Sequence, residues 1–228
     1  MKKTIAILLV LVSLFAYAGC GNQGAEGEKN PSVKVQTKEE LLQDAIELDF
    51  QDFADGVYEN TAKIKLDYCG KNVLLTGFID DITDDQVVFF EVLDGLSNGN
   101  CAEIRVPLPM EALANFEKMQ QITVVGHLTE DYTTETRPQG EYTFSVKSFS
   151  MDTAYLIQDR WTVTGKVYAQ TDRYSDSDWY FAEPVEDKYE TRTDLYFRDG
   201  VTIPKEKTTV SLSVKVVSSK YYDAIPAE

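Results

Sequence analysis

The sequence predicts a mainly β fold with a leading α-helix, a first domain of five strands and a second, smaller β-rich domain. Short apolar runs separated by turn residues recur between residues 73 and 216, as they do in β-strands. A helical period of apolar residues occurs near the start, over residues 41–62. The chain has 228 residues and is 43% hydrophobic, which is enough for a packed core.

Composition excludes several kinds of chemistry. The formal charge of −16 disfavours binding to nucleic acid through its phosphate backbone. One histidine and the two cysteines other than Cys20 do not suffice for a typical structural zinc site. A nucleophile–histidine set would have to include His127, which has no identifiable partner. We therefore predict a protein that is not an enzyme, with no catalytic residue, no metal and no cofactor.

The N-terminus is typical of an export signal. Lys2 and Lys3 precede an apolar run over residues 5–18, which has the layout of a signal peptide. The small residues before Cys20 resemble a bacterial lipobox, although Tyr17 stands where that motif usually carries an aliphatic residue. The resemblance implies cleavage before Cys20 and lipidation (palmitate) of the new terminus. The alternative is an ordinary signal peptide with an incidental cysteine.

These features divide the chain into four parts. We expect a signal peptide over residues 1–19, then a lipidated cysteine and flexible tether over 20–36, because this stretch is polar and rich in glycine. A helix and barrel domain over 37–151 and a second β-rich domain over 152–228 follow. The predicted location is the extracytoplasmic side of the cell membrane, with the membrane itself as a partner through the lipid anchor.

The leading helix begins with a capping box, in which Thr37 and Glu40 satisfy each other's backbone groups. The apolar period after it predicts one amphipathic helix or two consecutive ones, with a break or a weak point at Gly56. We expect the helical region to extend to about Tyr68 and to stop at Gly70.

Five strands and a short helix account for the rest of the first domain. The strands are predicted over 73–79, 87–93, 101–106, 122–128 and 142–146, with an acidic turn over 80–86, a helix over 109–116 and a polar loop around Pro138. A helix between the third and fourth strands is typical of an OB barrel. Gly77 and Gly126 are expected at bends of the first and fourth strands.

The last third repeats this pattern loosely. Strands are predicted over 161–167, 179–181, 194–197 and 210–216, with Gly165 in the place of Gly77 and Ser213 in that of Gly126. Residues 218–228 remain for a fifth strand. These strands form either a degenerate OB-like domain or a β-rich extension packed on the first barrel.

A family resemblance covers roughly residues 38–151. The runs 58–62, 68–79, 101–104 and 121–128 resemble the tRNA_anti-like family of OB-fold bacterial lipoproteins. The family glycine before the fourth strand is absent, and Gln120 and Gln121 stand in its place. The resemblance implies an OB fold; it implies neither tRNA binding nor any catalytic residue.

Two cysteines and five aromatic residues are the candidate site residues. Outside the cytoplasm Cys69 and Cys101 either form a disulfide or are two small buried residues that never meet. OB folds bind ligands on the face of strands two and three, often on aromatic rings. The candidates on the predicted second strands are Phe89, Phe90, Trp179, Tyr180 and Phe181. Because neighbouring residues of a strand point to opposite faces, about half of these rings should lie in the core.

The sequence therefore predicts a binding or interaction module of the cell envelope, with a protein or a glycan as its partner. A glycan-directed hydrolase that uses a carboxylate pair is the first alternative, since the chain has 38 acidic residues. A binder of single-stranded nucleic acid is the second, and it would require basic residues such as Lys63, Lys65 and Lys71 to share one face. The acidic turns that contain Asp80 to Asp85 are expected to be solvated hairpin turns rather than calcium sites.

Overall fold

The computed structural model describes residues 36–93, 99–139, 142–170, 175–183 and 191–227. The predicted signal peptide, Cys20 and nearly all of the tether lie outside the described residues. In the described part of the chain, every helix is too short or too polar to cross a membrane.

The leading helical region consists of three helices and a short strand rather than one or two helices. These are α1 (Lys38–Gln43), β1 (Ile46–Asp49), α2 (Phe50–Glu59) and α3 (Thr61–Tyr68). The capping box is confirmed, because Thr37 and Glu40 exchange backbone–side-chain hydrogen bonds of 2.9 and 3.2 Å.

Each break in this region is explained by a side chain that caps the start of the next helix. The carboxylate of Asp49 accepts hydrogen bonds from two backbone N–H groups at the start of α2. The side chain of Asn60 accepts one from the backbone of Lys63 at the start of α3. The expected break at Gly56 is wrong, since this glycine lies inside α2 against the side chain of Ile64.

The first domain is built on an eight-stranded sheet. Its remaining elements are β2 (Asn72–Phe78), β3 (Asp81–Ile82), β4 (Gln86–Val92), β5 (Asn100–Pro107), helix α4 (Met110–Leu113), β6 (Gln121–Leu128), β7 (Thr133–Gln139) and β8 (Tyr142–Gln158). The strand order is β1-β2-β6-β8-β5-β4-β3, with β7 paired to β8. The β5–β8 and β1–β2 pairs are parallel, and the other pairs are antiparallel.

Two consecutive strands, β2 and β3, pair with strands in different parts of this sheet, as the bent first strand of an OB barrel does. β2 pairs with β6, and β3, which begins two residues after β2 ends, pairs with β4. The partner changes just after Gly77, where a Cβ atom would lie 2.8 Å from the ring of Phe89. Only glycine lets the strand and this core ring approach so closely at the bend.

Two strands differ from the prediction. The loop around Pro138 is strand β7, which pairs with β8 alone, and an edge strand tolerates a proline because one side of it makes no ladder bonds. β8 has 17 residues and crosses the predicted domain boundary at residues 151 and 152. Its first half pairs with β5 and β7, and its second half pairs with β6.

The second domain is a closed five-stranded barrel. Its strands are β9 (Trp161–Ala169), β10 (Trp179–Glu183), β11 (Thr191–Phe197), β12 (Thr209–Val217) and β13 (Lys220–Pro226). They pair around the barrel in the order β10-β11-β13-β12-β9, and only β11 and β13 are parallel. This is the strand pairing of the first domain again, so the prediction of a second OB-like domain is confirmed at the level of topology.

The repeat is visible in matching glycines. Gly77 lies opposite Ile122, and Gly165 lies opposite Val210. A Cβ atom on Gly165 would lie 2.9 Å from the ring of Phe181, much as Gly77 meets Phe89. Gly126 lies four residues after Ile122, and Val214 lies four residues after Val210. Val214, and not Ser213, therefore occupies the place of Gly126.

Each domain has its own apolar core, and backbone bonds join the two. Met119 accepts a hydrogen bond of 2.9 Å from the backbone N–H of Ser218, and Gln120 pairs with Val217.

The connector between β8 and β9 is fixed by Arg160, whose guanidinium donates to the backbone and side chains of Ser213 and Asp223 at 2.5–3.0 Å. Burial of the separate clusters around Phe89 and Phe181 explains why each barrel is ordered.

Candidate functional site

A cleft of about 720 Å³ lies on the outer face of β4 and β5 in the first barrel. A smaller pocket of about 250 Å³ adjoins it, beside the start of α2. Four residues line both spaces, namely Asp80, Phe90, Glu91 and Met119. We refer to the two spaces together as the groove.

Strand alternation decides which side chains reach the groove, except for Glu91 near the end of β4. On β4, Val87 and Phe89 are fully buried in the core, whereas Val88 and Phe90 line the groove. On β5 the core takes the even-numbered residues from Ala102 to Val106, and the charged residues between them face outward. The face that OB folds use for ligands is therefore the face that carries the groove.

Glu103 organises the wall of the groove. Its side chain is 2% exposed, and Arg137 donates to its two carboxylate oxygens at 2.6 and 3.2 Å. Arg105 donates through Nε at 2.6 Å, and the hydroxyl of Ser148 donates at 2.7 Å. Burial alone would raise the pKa of Glu103, but these hydrogen bonds lower it to about 2. The carboxylate is thus a fixed anion.

The network holds one cation ready for a ligand. Arg137 uses all three of its nitrogens on Glu103 and Glu135. Arg105 uses only Nε, and its two terminal nitrogens have no protein partner among the described residues. Arg105 therefore presents two oriented donors toward the groove.

The opposite rim carries carboxylates. Asp81 forms an ion pair of 2.6 Å with Lys118. Asp80 and Glu91 form no ion pair within the described part of the chain. Burial, together with neighbouring carboxylates, raises the pKa of both groups. Lys118 offsets part of the charge at Asp80 and Asp81, whereas Glu91 has no ion pair among the described residues.

Apolar side chains lie exposed along the groove. Phe78, Val92 and Met119 are 39%, 41% and 45% exposed, and each lines one or both spaces. Met119 has a positive φ of 63°, which is uncommon for a residue other than glycine. Its backbone is held there by bonds to Ile79 and to Ser218 of the second barrel.

The five candidate aromatic residues divide between core and surface. Phe89 and Phe181 are fully buried, which corrects the expectation that they contribute to a binding face. Trp179 is half-buried against the second core, with its ring edge-on to Phe197 at 6.3 Å. Phe90 and Tyr180 point outward, as the period of two requires.

Tyr180 belongs to a row of side chains on the outer face of the second barrel. Its ring stacks on that of Tyr168 at 4.9 Å, and the guanidinium of Arg192 lies 4.9 Å from its centre on the ring face. Tyr196 and Tyr222 stack in the same way at 4.4 Å. Stacking therefore covers one face of each of these four rings.

The candidate disulfide is absent: Cys69 and Cys101 are both free cysteines. Cys69 packs against the main core, whereas Cys101 is fully buried in a separate cluster with Phe144 and Val146. The two thiols therefore lie in different clusters, as the alternative interpretation required. Burial raises the pKa of both thiols.

The other residues considered in the sequence have local partners. His127 lies 3.1 Å through Nδ1 from the side-chain oxygen of Asn72. Lys65 pairs with Asp131 at 3.5 Å, and Lys71 donates to the backbone of Asp67. Among the described residues, no group of three or more histidine, cysteine or acidic side chains is arranged to hold a metal.

The sequence indicated the face of the groove but not its charged network. The signal was present, since Glu103 and Arg105 occupy alternate positions of an otherwise apolar strand. Their partner Arg137 lies on β7. The sequence did not predict this strand, because residues 133–139 are polar.

Comparisons with known proteins add no functional information. No protein-family model matches this sequence, and no curated protein is detectably similar to it. The resemblance of residues 38–151 to the tRNA_anti-like family therefore stays a prediction.

Proposed function

We propose that this protein is an exported, lipid-anchored binding module of the cell envelope that takes its partner in the groove of the first barrel. The observation that carries the proposal is the coincidence of this groove with the face of strands two and three, where OB folds bind ligands. The lipobox-like sequence before Cys20 supports the anchor, and the polar tether supports a domain held off the membrane.

Binding without turnover is favoured by how the groove's charges are arranged. Glu103 accepts four hydrogen bonds and has a pKa of about 2, so it is an anion held in place and has no proton to give. Its role is to hold Arg105 and Arg137 in place.

A glycan-directed hydrolase is the second candidate, because Asp80 and Glu91 share the rim of the groove with raised pKa values. A glycosidase needs one protonated and one ionised carboxyl on either side of the scissile bond. Hydrolysis of envelope glycans that is lost in both Asp80→Asn and Glu91→Gln would favour this candidate over the module.

The proposal is tested by crosslinking the full-length, lipid-anchored protein in its native envelope and recovering it from the membrane fraction. We expect one partner in near-stoichiometric amount and its loss in Met119→Asn, because asparagine accepts a positive φ but removes the apolar side chain from the groove. Met110→Asn is the matched control, since Met110 is 70% exposed and outside the groove. A partner captured equally by both variants would contradict binding in the groove.

Anchoring is tested separately with Cys20→Ser. We expect intact mass spectrometry to show a lipid on the natural protein and none on this variant. A natural protein whose mass shows no lipid would contradict the anchor.

A further inference from the structure

The edge of strand β4 beside the groove is unpaired. β5 pairs with β4 over Gln86–Val92, but β3 covers the other side of β4 only at Val87 and Val88. In the described part of the chain, no strand pairs with residues 89–92 on that side. A strand edge of this kind is a template for an added strand.

The free backbone groups of this edge can be assigned from the ladder. The carbonyl groups of Gln86 and Val88 accept hydrogen bonds from the β3 side, and the N–H of Leu93 donates to β5. Backbone groups alternate sides along a strand, so those of Phe90 and Val92 point away from β5, toward the open edge. Two residues thus offer a donor and an acceptor each.

The edge of β7 is unpaired too, but it is protected. Its sequence is polar and contains Pro138, which lacks a backbone donor, and Glu135 and Arg137 lie along the strand. The edge of β4 has no proline, and Glu91 is the one charged residue over 89–92; the edge presents Phe90 and Val92, with exposed Phe78 and Met119 nearby. Natural edge strands usually avoid such exposure.

The charges along the edge of β4 indicate which kind of segment would bind there. Asp80 and Glu91 lie along the same edge, and neither forms an ion pair within the described residues. Burial raises the pKa of both groups; Lys118 lowers the pKa of Asp80 in part, but the charge of Asp80 adds to the rise at Glu91. A second copy of this chain would bring equal negative charge against them, and the whole chain carries −16. A basic segment would remove the repulsion between the two carboxylates.

We propose that the open edge of β4 accepts an extended segment of a partner protein as an added strand, and that this segment alternates apolar residues with lysine or arginine. Its backbone pairs with Phe90 and Val92, its apolar side chains contact Phe78 and Met119, and its basic side chains meet Asp80 and Glu91. This inference rests on the proposed function, because it names the partner class for the same groove.

Synthetic peptides test the mode of binding on the full chain. The probe is a labelled, terminally blocked peptide of alternating valine and lysine, and its binding is measured by fluorescence anisotropy. A second peptide of identical charge is N-methylated at alternate residues, which removes the backbone donors of one edge. We expect the N-methylated peptide to bind about tenfold more weakly, because it loses two or more backbone hydrogen bonds. Equal binding of the two peptides would overturn strand addition, since it would reflect charge alone.

Charge recognition is tested by reversing the peptide and neutralising the rim. A valine–glutamate peptide should not bind, and Asp80→Asn or Glu91→Gln should each weaken binding of the lysine peptide about two- to fivefold. The matched control is Glu111→Gln on helix α4, outside the groove, which should leave binding unchanged. Unaltered affinity in both rim variants would overturn the role of the rim.

The outcomes also separate this inference from the proposed function. If envelope crosslinking yields a partner that depends on Met119 while no lysine peptide binds, the groove binds something else and this inference fails alone. Concentration-dependent dimerisation that excludes the peptide would assign the edge to a second copy and overturn the basic partner.

Discussion

Arg137 donates hydrogen bonds to Glu103 from two nitrogens, at 2.6 and 3.2 Å. This ion pair connects edge strand β7 with β5, which lies on the other side of β8 and carries the binding face. Glu103 is 2% exposed, and the network around it leaves it fully hydrogen-bonded. A buried anion in this position is stable only while its cations are present. The Arg137–Glu103 pair therefore holds β7 and β5 in the arrangement that forms the wall of the groove.

Glu103→Gln should destabilise the protein by about 1.5–3 kcal/mol, because it removes the buried anion that accepts from Arg105 and Arg137, although Arg137 keeps Glu135. Urea unfolding followed by circular dichroism at neutral pH measures this. The control is Glu135→Gln, since Glu135 contacts the same arginine from a more exposed position and should cost at most about 1 kcal/mol. Equal effects of the two variants would show that burial of Glu103 is unimportant.

Stability should also depend on acid. The pKa of Glu103 is lowered from an ordinary value to about 2 in the folded protein. Its contribution is therefore complete above the unfolded pKa of about 4.3 and is lost as the pH falls toward 2, by up to about 3 kcal/mol. Asp223, whose pKa Arg198 and Arg160 also lower to about 2, adds to the loss. A series of urea unfolding curves against pH measures it, and Glu103→Gln should flatten the curve.

Tyr58 should stabilise the parallel junction of β5 and β8. Its hydroxyl lies 2.6 Å from the carbonyl oxygen of Cys101 and 2.7 Å from that of Ser145. Tyr58→Phe removes the one hydroxyl proton, which either carbonyl oxygen can accept, and the acceptor of the Cys101 N–H; it should cost about 1–3 kcal/mol in urea unfolding. Tyr155→Phe, which removes one hydrogen bond to Gln36, is the comparison and should cost less. The reverse order would contradict this role.

Gly165→Ala should destabilise the second barrel. The added Cβ would lie 2.4 Å from the carbonyl oxygen of Ala182 and 2.9 Å from the ring of Phe181. Overpacking of this kind costs about 1–3 kcal/mol. The adjacent exposed Lys166→Ala should change the unfolding free energy by at most about 0.5 kcal/mol. Thermal unfolding of both variants distinguishes a steric requirement from a general weakness of β9.

The two thiols should be free but unequal. In a Cys20→Ser protein, alkylation in denaturant without reductant should add two labels, since Cys69 and Cys101 are both unbonded. In the folded protein Cys69 should react faster than Cys101, which is fully buried. Intact mass spectrometry measures both. Labels that appear only after reduction would show a disulfide and contradict the structure.

The sequence predicted those parts of the fold that depend on local pattern. Alternation located most strands to within a few residues, and it implied that Phe89 and Phe90 face opposite sides. The turn and cap residues around Thr37 were readable for the same reason, because the groups that bond there are neighbours in the chain.

Features that depend on distant partners could not be predicted from the sequence. β1 is four residues long and lies within the helical period, and its place is set by its pairing with β2. β7 is polar and becomes a strand only because β8 provides a ladder for it. The groove needs both Arg137 from β7 and Met119, whose conformation depends on Ser218 far along the chain.

The most direct test of the account places a photo-crosslinking amino acid at position 119 of the full-length protein in its native envelope. We expect irradiation to join a discrete partner at this position, because Met119 lies in both spaces of the groove. The same amino acid at position 110, exposed but outside the groove, should give no such product. Crosslinking at position 110 with none at 119 would show that the partner binds elsewhere and would contradict binding in the groove.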